Sequence, residues 1–302
     1  MTRLACLLRR NPARRRTDCP DRRRSGPVGR AGAPTAAGSR ECLPGRAASA
    51  RLGRFLLILA LLSAAAAAES DPAAEVPPPF TATYSVDHGV LEVGKTHVEF
   101  RRPTPGRYHY RSHSYTVGVA DLFYGDEVRE RSDGVVDGSG LRPLVYRYRR
   151  TGSREREGEL RFHWEDGEVV NDVGGHPWHM DIPRTAKDRV VGSVQLMTDL
   201  ARGERSLVYH VADGGWLRTY RFKVKGEGEV DTGLGSFHAL KVVRKEEDGN
   251  SRTVLWCAPS LHYLAVRIEH HDREEGDYTM ELEKLEGLGQ TGKVEGRRKS
   301  RN

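Results

Sequence analysis

The chain is short of cysteine, of long apolar runs and of compact catalytic signatures, and each shortage excludes something. Of four cysteines, Cys6, Cys19 and Cys42 fall in an Arg-rich N-terminal stretch and only Cys257 lies further on. A single thiol cannot form an internal bridge, so the folded part is expected to hold together without disulfides. Cys257 sits in the apolar string VLWCAP, which suits a buried small hydrophobe better than a nucleophile. The longest greasy stretch runs from Phe55 to Ala68, about fourteen residues, whereas a membrane-spanning helix needs about twenty. No G-x-S-x-G elbow, H-E-x-x-H pair, phosphate loop or dinucleotide fingerprint occurs, and Gly226, Gly228, Gly233 and Gly235 lack the fingerprint spacing.

What the apolar stretch offers instead is an address. Arg51 and Arg54 precede FLLILALL at Phe55–Leu62, and small residues at Ala66 and Ala68 stand just before Glu69. Those are the three parts of a Sec signal, with cleavage expected between Ala68 and Glu69 over a signal spanning 51–68. No cysteine stands at the new N-terminus to take a lipid, and Leu52 and Gly53 separate the arginines that a twin-arginine signal would need side by side. The expected location is therefore the periplasm or the exterior, as a soluble protein that is not a lipoprotein. Residues 1–50 are rich in Arg, Ala, Gly and Pro and have little to bury. An organellar transit segment or a nucleic-acid arm would share that composition, but a start assigned too early, with the true one near Leu52, explains it more simply.

Moving the start changes the charge. Residues 1–54 hold 14 basic and 3 acidic side chains, and residues 69–302 hold 35 basic and 39 acidic. The mature chain is mildly acidic, so the overall positive charge gives no reason to expect a nucleic-acid partner. The basic cluster from Lys293 to Arg301 reads as part of a solvated tail covering 288–302.

From Phe80 to about Leu285 apolar and polar residues alternate in short segments, as in Tyr220, Phe222 and Val224 or Leu160, Phe162 and Trp164. Period two predicts strands with one buried face, about ten to twelve of them, within one all-β domain over 78–287. Asp87-His88-Gly89, Asp133-Gly134, Asp137-Gly138, Asp166-Gly167, Asp213-Gly214 and Asp248-Gly249 read as hairpin turns, which makes the sheet an antiparallel meander. Such a meander is expected to curl into a closed or half-closed barrel. Val190, Val194, Met197 and Ala201 recur at helical spacing and predict one amphipathic helix over about 188–202, ended by Gly203. It would cover the mouth or the seam of the barrel, or else join two halves of a sandwich.

Two strings, YRFKVKGEGEVDTGLGSFHALKVVR from Tyr220 to Arg244 and LWCAPSLHYLAVRIEH from Leu255 to His270, resemble an exported bacterial family catalogued as domain of unknown function 3108. The resemblance runs more weakly from FTATYSV at Phe80 to MELEKLEG near Met280. Its recurring elements are a Tyr-x-Phe-x-Val strand (Tyr220 to Val224), a Thr-x-x-Gly-x-Phe turn (Thr232 to Phe237) with a Lys-Val-x-Arg strand (Lys241 to Arg244), and Trp-x-Ala-Pro (Trp256 to Pro259) leading to Tyr263 through Ile268. Ala265 stands where the family usually has proline. The resemblance implies an exported, β-rich envelope protein and no agreed activity.

Candidate chemistry is sparse. His176 and His179 flank Pro177, which argues against a helix, and the adjacent His270 and His271 would face opposite ways on a strand. Neither pair has the spacing of zinc ligands, so neither a metal nor another cofactor is expected. Glu227, Glu229 and Asp231 could form an acid/base pair, but next to Lys223 and Lys225 they read as cross-strand charge pairing. The aromatic residues are more suggestive: Tyr108, Tyr110, Tyr146, Tyr148, Phe162, Trp164, Tyr220, Phe222 and Tyr278 all fall on the apolar phase of strands. In a barrel they would line the interior, either filling it or bordering a cavity for an amphipathic, lipid-like ligand. The expected function is a non-enzymatic carrier, binding module or assembly factor with a lipid, small amphiphile or envelope protein as partner. The alternatives are an envelope hydrolase or transferase with a dispersed site, and a structural module whose Arg-rich face meets a partner protein or anionic headgroups.

Overall fold

The computed structural model describes residues 76–245, 251–273 and 276–289. The expected leader, the signal with its Ala68–Glu69 junction, most of the basic tail and Asp248-Gly249 lie outside the described residues. Eight strands make the first half: β1 (Phe80–His88), β2 (Leu91–Arg101), β3 (Arg107–Thr116), β4 (Glu127–Asp137), β5 (Gly140–Thr151), β6 (Arg156–His163), β7 (Glu168–Val173) and β8 (His176–Asp181). Seven make the second: β9 (Lys187–Asp188), β10 (Ser206–Asp213), β11 (Trp216–Thr232), β12 (Gly235–Lys245), β13 (Ser251–Ala258), β14 (Leu264–Asp272) and β15 (Gly276–Glu286). A short helix α1 (Val119–Tyr124) joins β3 to β4, and α2 (Val191–Ala201) joins β9 to β10.

All fifteen strands belong to one sheet, ordered β8-β7-β6-β5-β4-β3-β2-β1-β15-β14-β13-β12-β11-β10-β9. Neighbours are antiparallel except β9 and β10, which run parallel over two residues. The meander is as expected; the count is higher. β8 is mostly exposed and so carries no alternation to read, and β9 is too short to have a period. Asp133-Gly134 is a correction, for it lies inside β4, where the register with β5 slips, and makes no hairpin. Glycine is needed there for space: a Cβ would come within 2.6 Å of the Tyr108 ring and 2.3 Å of the Arg142 carbonyl oxygen.

Register shifts of this kind also occur in β1, in β11 and in β13. An extra residue in one strand bends and twists the pair, which is how a wide sheet curls round its own inner face. The ladder does not close, since β8 and β9 are the two ends of the order. Side chains take over instead. Lys187 donates to the Leu141 carbonyl of β5, Ser132 of β4 donates to Asp188, and Arg189 lies 3.3 Å from Glu130 of β4. Three consecutive residues thus fasten the β9 end of the sheet to β4 and β5. The barrel is half-closed, with a seam made of buried ionic and hydrogen-bonded contacts.

Helix α2 lies along that seam and is buried more completely than a surface amphipathic helix. Val191, Val194 and Met197 belong to the main core, whereas Leu196 and Leu200 pack with Tyr209, Phe222, Leu240 and Val242 in a second cluster. Gln195 is also buried; its Oε1 accepts the Leu141 N–H at 2.8 Å and its Nε2 donates to Asp199. Asp188 Oδ1 accepts the N–H groups of Val190 and Val191 at 3.0 and 2.9 Å, satisfying donors that a helix start leaves open. Gly203, at φ +89, ends the helix as predicted.

Candidate ligand cavity

Fifteen curled strands enclose more space than their side chains fill. Toward one end the interior is solid: Phe80 packs tilted on Phe100 and Phe100 stacks on Tyr108, with centroid separations of 5.8 and 6.3 Å, beside buried Leu141, Phe237 and Leu282. On the other side of Phe80, Val98 and Tyr110 a cavity of about 350 Å³ remains, between α2 and the inner faces of β1–β4 and β12–β15. It lies toward the end that carries the β1–β2 turn and α1. The volume is within the range of about 300–1,000 Å³ usual for small-molecule sites.

The walls are mainly apolar, with Leu196 and Met197 from α2 facing Leu255, Leu264, Ile268 and Met280 from the sheet. Two polar regions interrupt them. At one, Arg189 and Glu130 form the inner part of a network in which Tyr146 donates to Glu130 at 2.6 Å and Arg189 also lies 3.7 Å from Asp213. At the other, Arg244, Thr253 and His270 reach the cavity. The Arg244 guanidinium lies over the Tyr220 ring at 4.5 Å, and Thr253 Oγ1 is 3.0 Å from His270 Nδ1. Asp126 also borders the space, paired with Arg150 at 2.6 Å.

Burial dominates the electrostatics. It pushes the His270 imidazole down to about 4, with Arg244 adding to the effect, so the ring is neutral at neutral pH. It pushes the Cys257 thiol up to about 12, which keeps this wall residue protonated and unreactive. It also pushes the Asp188 carboxyl up to about 6, against the hydrogen bonds that Ser132 and the helix N–H groups donate. His270 and Asp188 therefore bias stability in opposite directions. The His270 contribution is complete above about pH 6.5 and is lost as pH falls through about 4. The Asp188 contribution is complete below about 3.8 and is lost as pH rises through about 6. A His270→Gln variant, which cannot titrate, should gain on the wild type in melting temperature as pH falls from 6.5 to 4. A constant difference across that range would show that His270 does not couple to folding.

Of the nine aromatic residues singled out in the sequence, Tyr110 and Tyr278 stand on the cavity wall. The structure does not bring the rest to it. Tyr108 is in the solid end, 3.0 Å from Ser132 Oγ, and Phe162 stacks on Trp164, whose Nε1 donates to the Pro143 carbonyl at 2.8 Å. Tyr146 and Tyr148 serve the Glu130–Arg189 network, Tyr148 with its ring 5.5 Å from the guanidinium. Tyr220 supports Arg244, and Phe222 packs on Tyr209 in the second cluster. Sequence reasoning missed Arg189, Arg244, His270 and the α2 pair Leu196 and Met197. Arg244 had a signal, as the last residue of the Lys-Val-x-Arg element; so had Tyr263 and Ile268, which also line the cavity.

Tyr263 has an unusual backbone. It follows the 3-10 turn Pro259–Leu261, and both His262 and Tyr263 have positive φ, 52° and 62°. For an aromatic residue that conformation is costly and persists only where surroundings enforce it. Here the Tyr263 N–H donates to the Ala258 carbonyl at 2.8 Å, and Tyr84 donates to the Ala265 carbonyl at 3.0 Å. The turn thereby fixes the cavity wall in place.

The other residues considered for chemistry are scattered. His176 and His179 are on exposed β8, where His179 lies 3.0 Å from Glu168. His270 is buried and His271 is at the surface beside Asp277. Glu227 and Glu229 flank His238 of β12 at 3.5 and 3.2 Å, a cross-strand pairing with histidine. Among the described residues, no group of three or more His, Cys, Asp or Glu is placed to hold a metal ion, and no helix is long and apolar enough to cross a membrane.

Among solved structures, the chain is similar to a beta-barrel-like protein of domain of unknown function DUF1849 from Brucella abortus, at 14% identity and a TM-score of 0.49, covering 70% of this chain and 98% of that one. A second, described as a putative lipoprotein from Parabacteroides distasonis, matches at 9% identity and a TM-score of 0.28, covering 70% of this chain and 96% of that one. No curated protein matches at a significant level. A family model does, over residues 81–283, from the second residue of β1 into β15. With all but the outermost residues of the curled sheet inside that match, the chain belongs to the family described as protein of unknown function DUF3108.

Proposed function

We propose that this protein is an exported, non-enzymatic carrier or binding module that holds one amphipathic, lipid-like molecule in the cavity beside α2. The carrying observation is the 350 Å³ space with aliphatic walls and half-buried arginines at its polar regions. An acyl chain would replace empty contact with Leu196, Met197, Leu255 and Ile268. Burial of that chain contributes about 25 cal/mol for each Å² removed from water. An anionic head would lie against Arg244, where neutral His270 and Thr253 can supply further hydrogen bonds. Arg189, shared between Glu130 and Asp213, marks the other polar region of the same space. The signal-like segment at 51–68 supports export, and the unreactive Cys257 supports binding over covalent chemistry.

Native mass spectrometry of the purified protein, with lipid extraction alongside, tests this. The expected result is a bound species in the mass range of a single fatty acid or lysolipid, retained by wild type and lost on Met197→Trp, which fills the cavity. An empty protein that also fails to take up a fluorescent fatty acid would overturn the proposal.

A further inference from the structure

The outer face of β3, β4 and β5 carries an unusual arrangement of charge. Strand register puts Arg111 of β3 opposite Arg131 of β4 and Arg131 opposite Arg147 of β5. The next outward row is His113, Arg129 and Arg149. Antiparallel neighbours are about 4.8 Å apart and same-face residues on one strand about 7 Å, so six basic side chains occupy a two-by-three lattice. Like charges placed directly opposite across strands destabilise a sheet. The acids that offset them stand at the margins. Glu99 is shared by Arg101 and Arg111, Glu159 by Arg147 and Arg161, Asp133 by His109 and Arg131, and Glu127 by His113 and Arg129. With Glu157 opposite Arg149 and Asp172 opposite Glu159, seven arginines meet six carboxylates, and the arginines are the outermost groups: Arg111, Arg129, Arg131 and Arg147 are 43% to 65% exposed.

A second feature lies at the same end of the sheet. Val90 in the β1–β2 turn and Leu91 at the start of β2 are 99% and 64% exposed, and Val119 at the start of α1 is 71% exposed. The two segments are tied together, as Val117 N–H donates to the Val93 carbonyl at 3.1 Å. Exposed aliphatic residues gain nothing from a dissolved polyanion. They gain from the acyl boundary of a bilayer whose headgroups meet the cations.

We propose that this face docks on an anionic bilayer surface, with the arginine lattice on the phosphates and Val90, Leu91 and Val119 entering the interface. The docking does not require the cavity to be occupied, so it can fail or hold independently of the carrier reading. Vesicle co-sedimentation tests it, with phosphatidylglycerol and phosphatidylcholine mixed at 3:7 by mole as the anionic probe and pure phosphatidylcholine as the neutral one. Binding to the anionic vesicles is expected to weaken about thirtyfold in Arg131→Gln/Arg149→Gln, from about fivefold per arginine at such a surface. It should also weaken in Leu91→Ser/Val119→Ser, and in wild type as salt rises. Both variants lie on the outside and are checked for an unchanged thermal melt. Three results would overturn the proposal: no binding by wild type, equal binding to neutral vesicles, or binding unaffected by the arginine variant. Soluble polyphosphate that binds as tightly, with the aliphatic variant silent, would assign the lattice to a dissolved polyanion instead.

Discussion

Replacing Asp126 with alanine is expected to cost the fold about 3–5 kcal/mol, the range for breaking a buried ion pair from one side. Asp126 precedes β4 and is 6% exposed. One carboxylate oxygen accepts from Arg150 Nη2 at 2.6 Å; the other accepts from the Ser153 N–H and hydroxyl at 2.8 and 2.7 Å. Its carbonyl accepts the Thr116 N–H at 3.1 Å. One residue thus joins the end of β3, the start of β4 and the link from β5 to β6. Removing the carboxylate takes the ion-pair partner from a guanidinium of 8% exposure, which is the larger part of the expected loss. Urea denaturation measures it. A double variant, Asp126→Leu/Arg150→Met, should recover much of the loss, because both buried charges of the pair are gone. A single variant within about 1 kcal/mol of wild type would mean that solvent reaches Arg150 after all.

The second large effect is expected at Asp188, which fastens the seam. Alanine there removes the acceptor for two helix N–H groups and for the Ser132 hydroxyl, all in the interior. Unsatisfied buried donors cost about 1–3 kcal/mol each, and solvent or relaxation will meet some of them, so a loss of about 3–4 kcal/mol is expected. Asparagine keeps an acceptor for the helix and removes a charge whose burial is unfavourable, so Asp188→Asn should lose far less. The deficit of each variant relative to wild type should narrow as pH rises through about 6, where the wild-type carboxylate becomes charged at its own expense. Amide exchange at Val190 and Val191 gives a local reading. If the alanine variant protects those amides as well as wild type does, the bond from Asp188 is not what holds the helix start.

The order of strands could be read from the sequence because the hairpins leave local marks. Tyr146 and Tyr148 point inward and Arg147 and Arg149 outward on one strand, a pattern fixed by the pleat alone. The helix was legible for the same reason, at a period of three to four. The cavity was not. Whether an inward aromatic residue fills space or borders it depends on what reaches across from the far side, and that is set by curl and by the bulges, not by alternation. Tyr108 and Tyr110 are two residues apart on β3, with the same face and chemistry, yet one is in the solid end and the other on the cavity wall. Gly134 misled for a related reason. It resembles a turn glycine in sequence, but it is small because the Tyr108 ring occupies the place where a side chain would be. The seam was the least legible part, since Lys187, Asp188 and Arg189 form a polar run that would ordinarily be given to the surface.

The pairing of β1 with β15 governs when this protein can be finished. The first strand made waits beside β2 with its other side open until the last strand arrives, so the central ladder is the final one to be zipped. A chain delivered from its N-terminus must therefore keep a hydrogen-bonding edge exposed for nearly its whole delivery, and contacts of such long sequence separation form slowly. Losing the last dozen residues of the sheet would open it at its middle, leaving two arcs held together only through α2 and the seam. Truncation at the C-terminus should thus be as severe as a deletion in the centre of the chain.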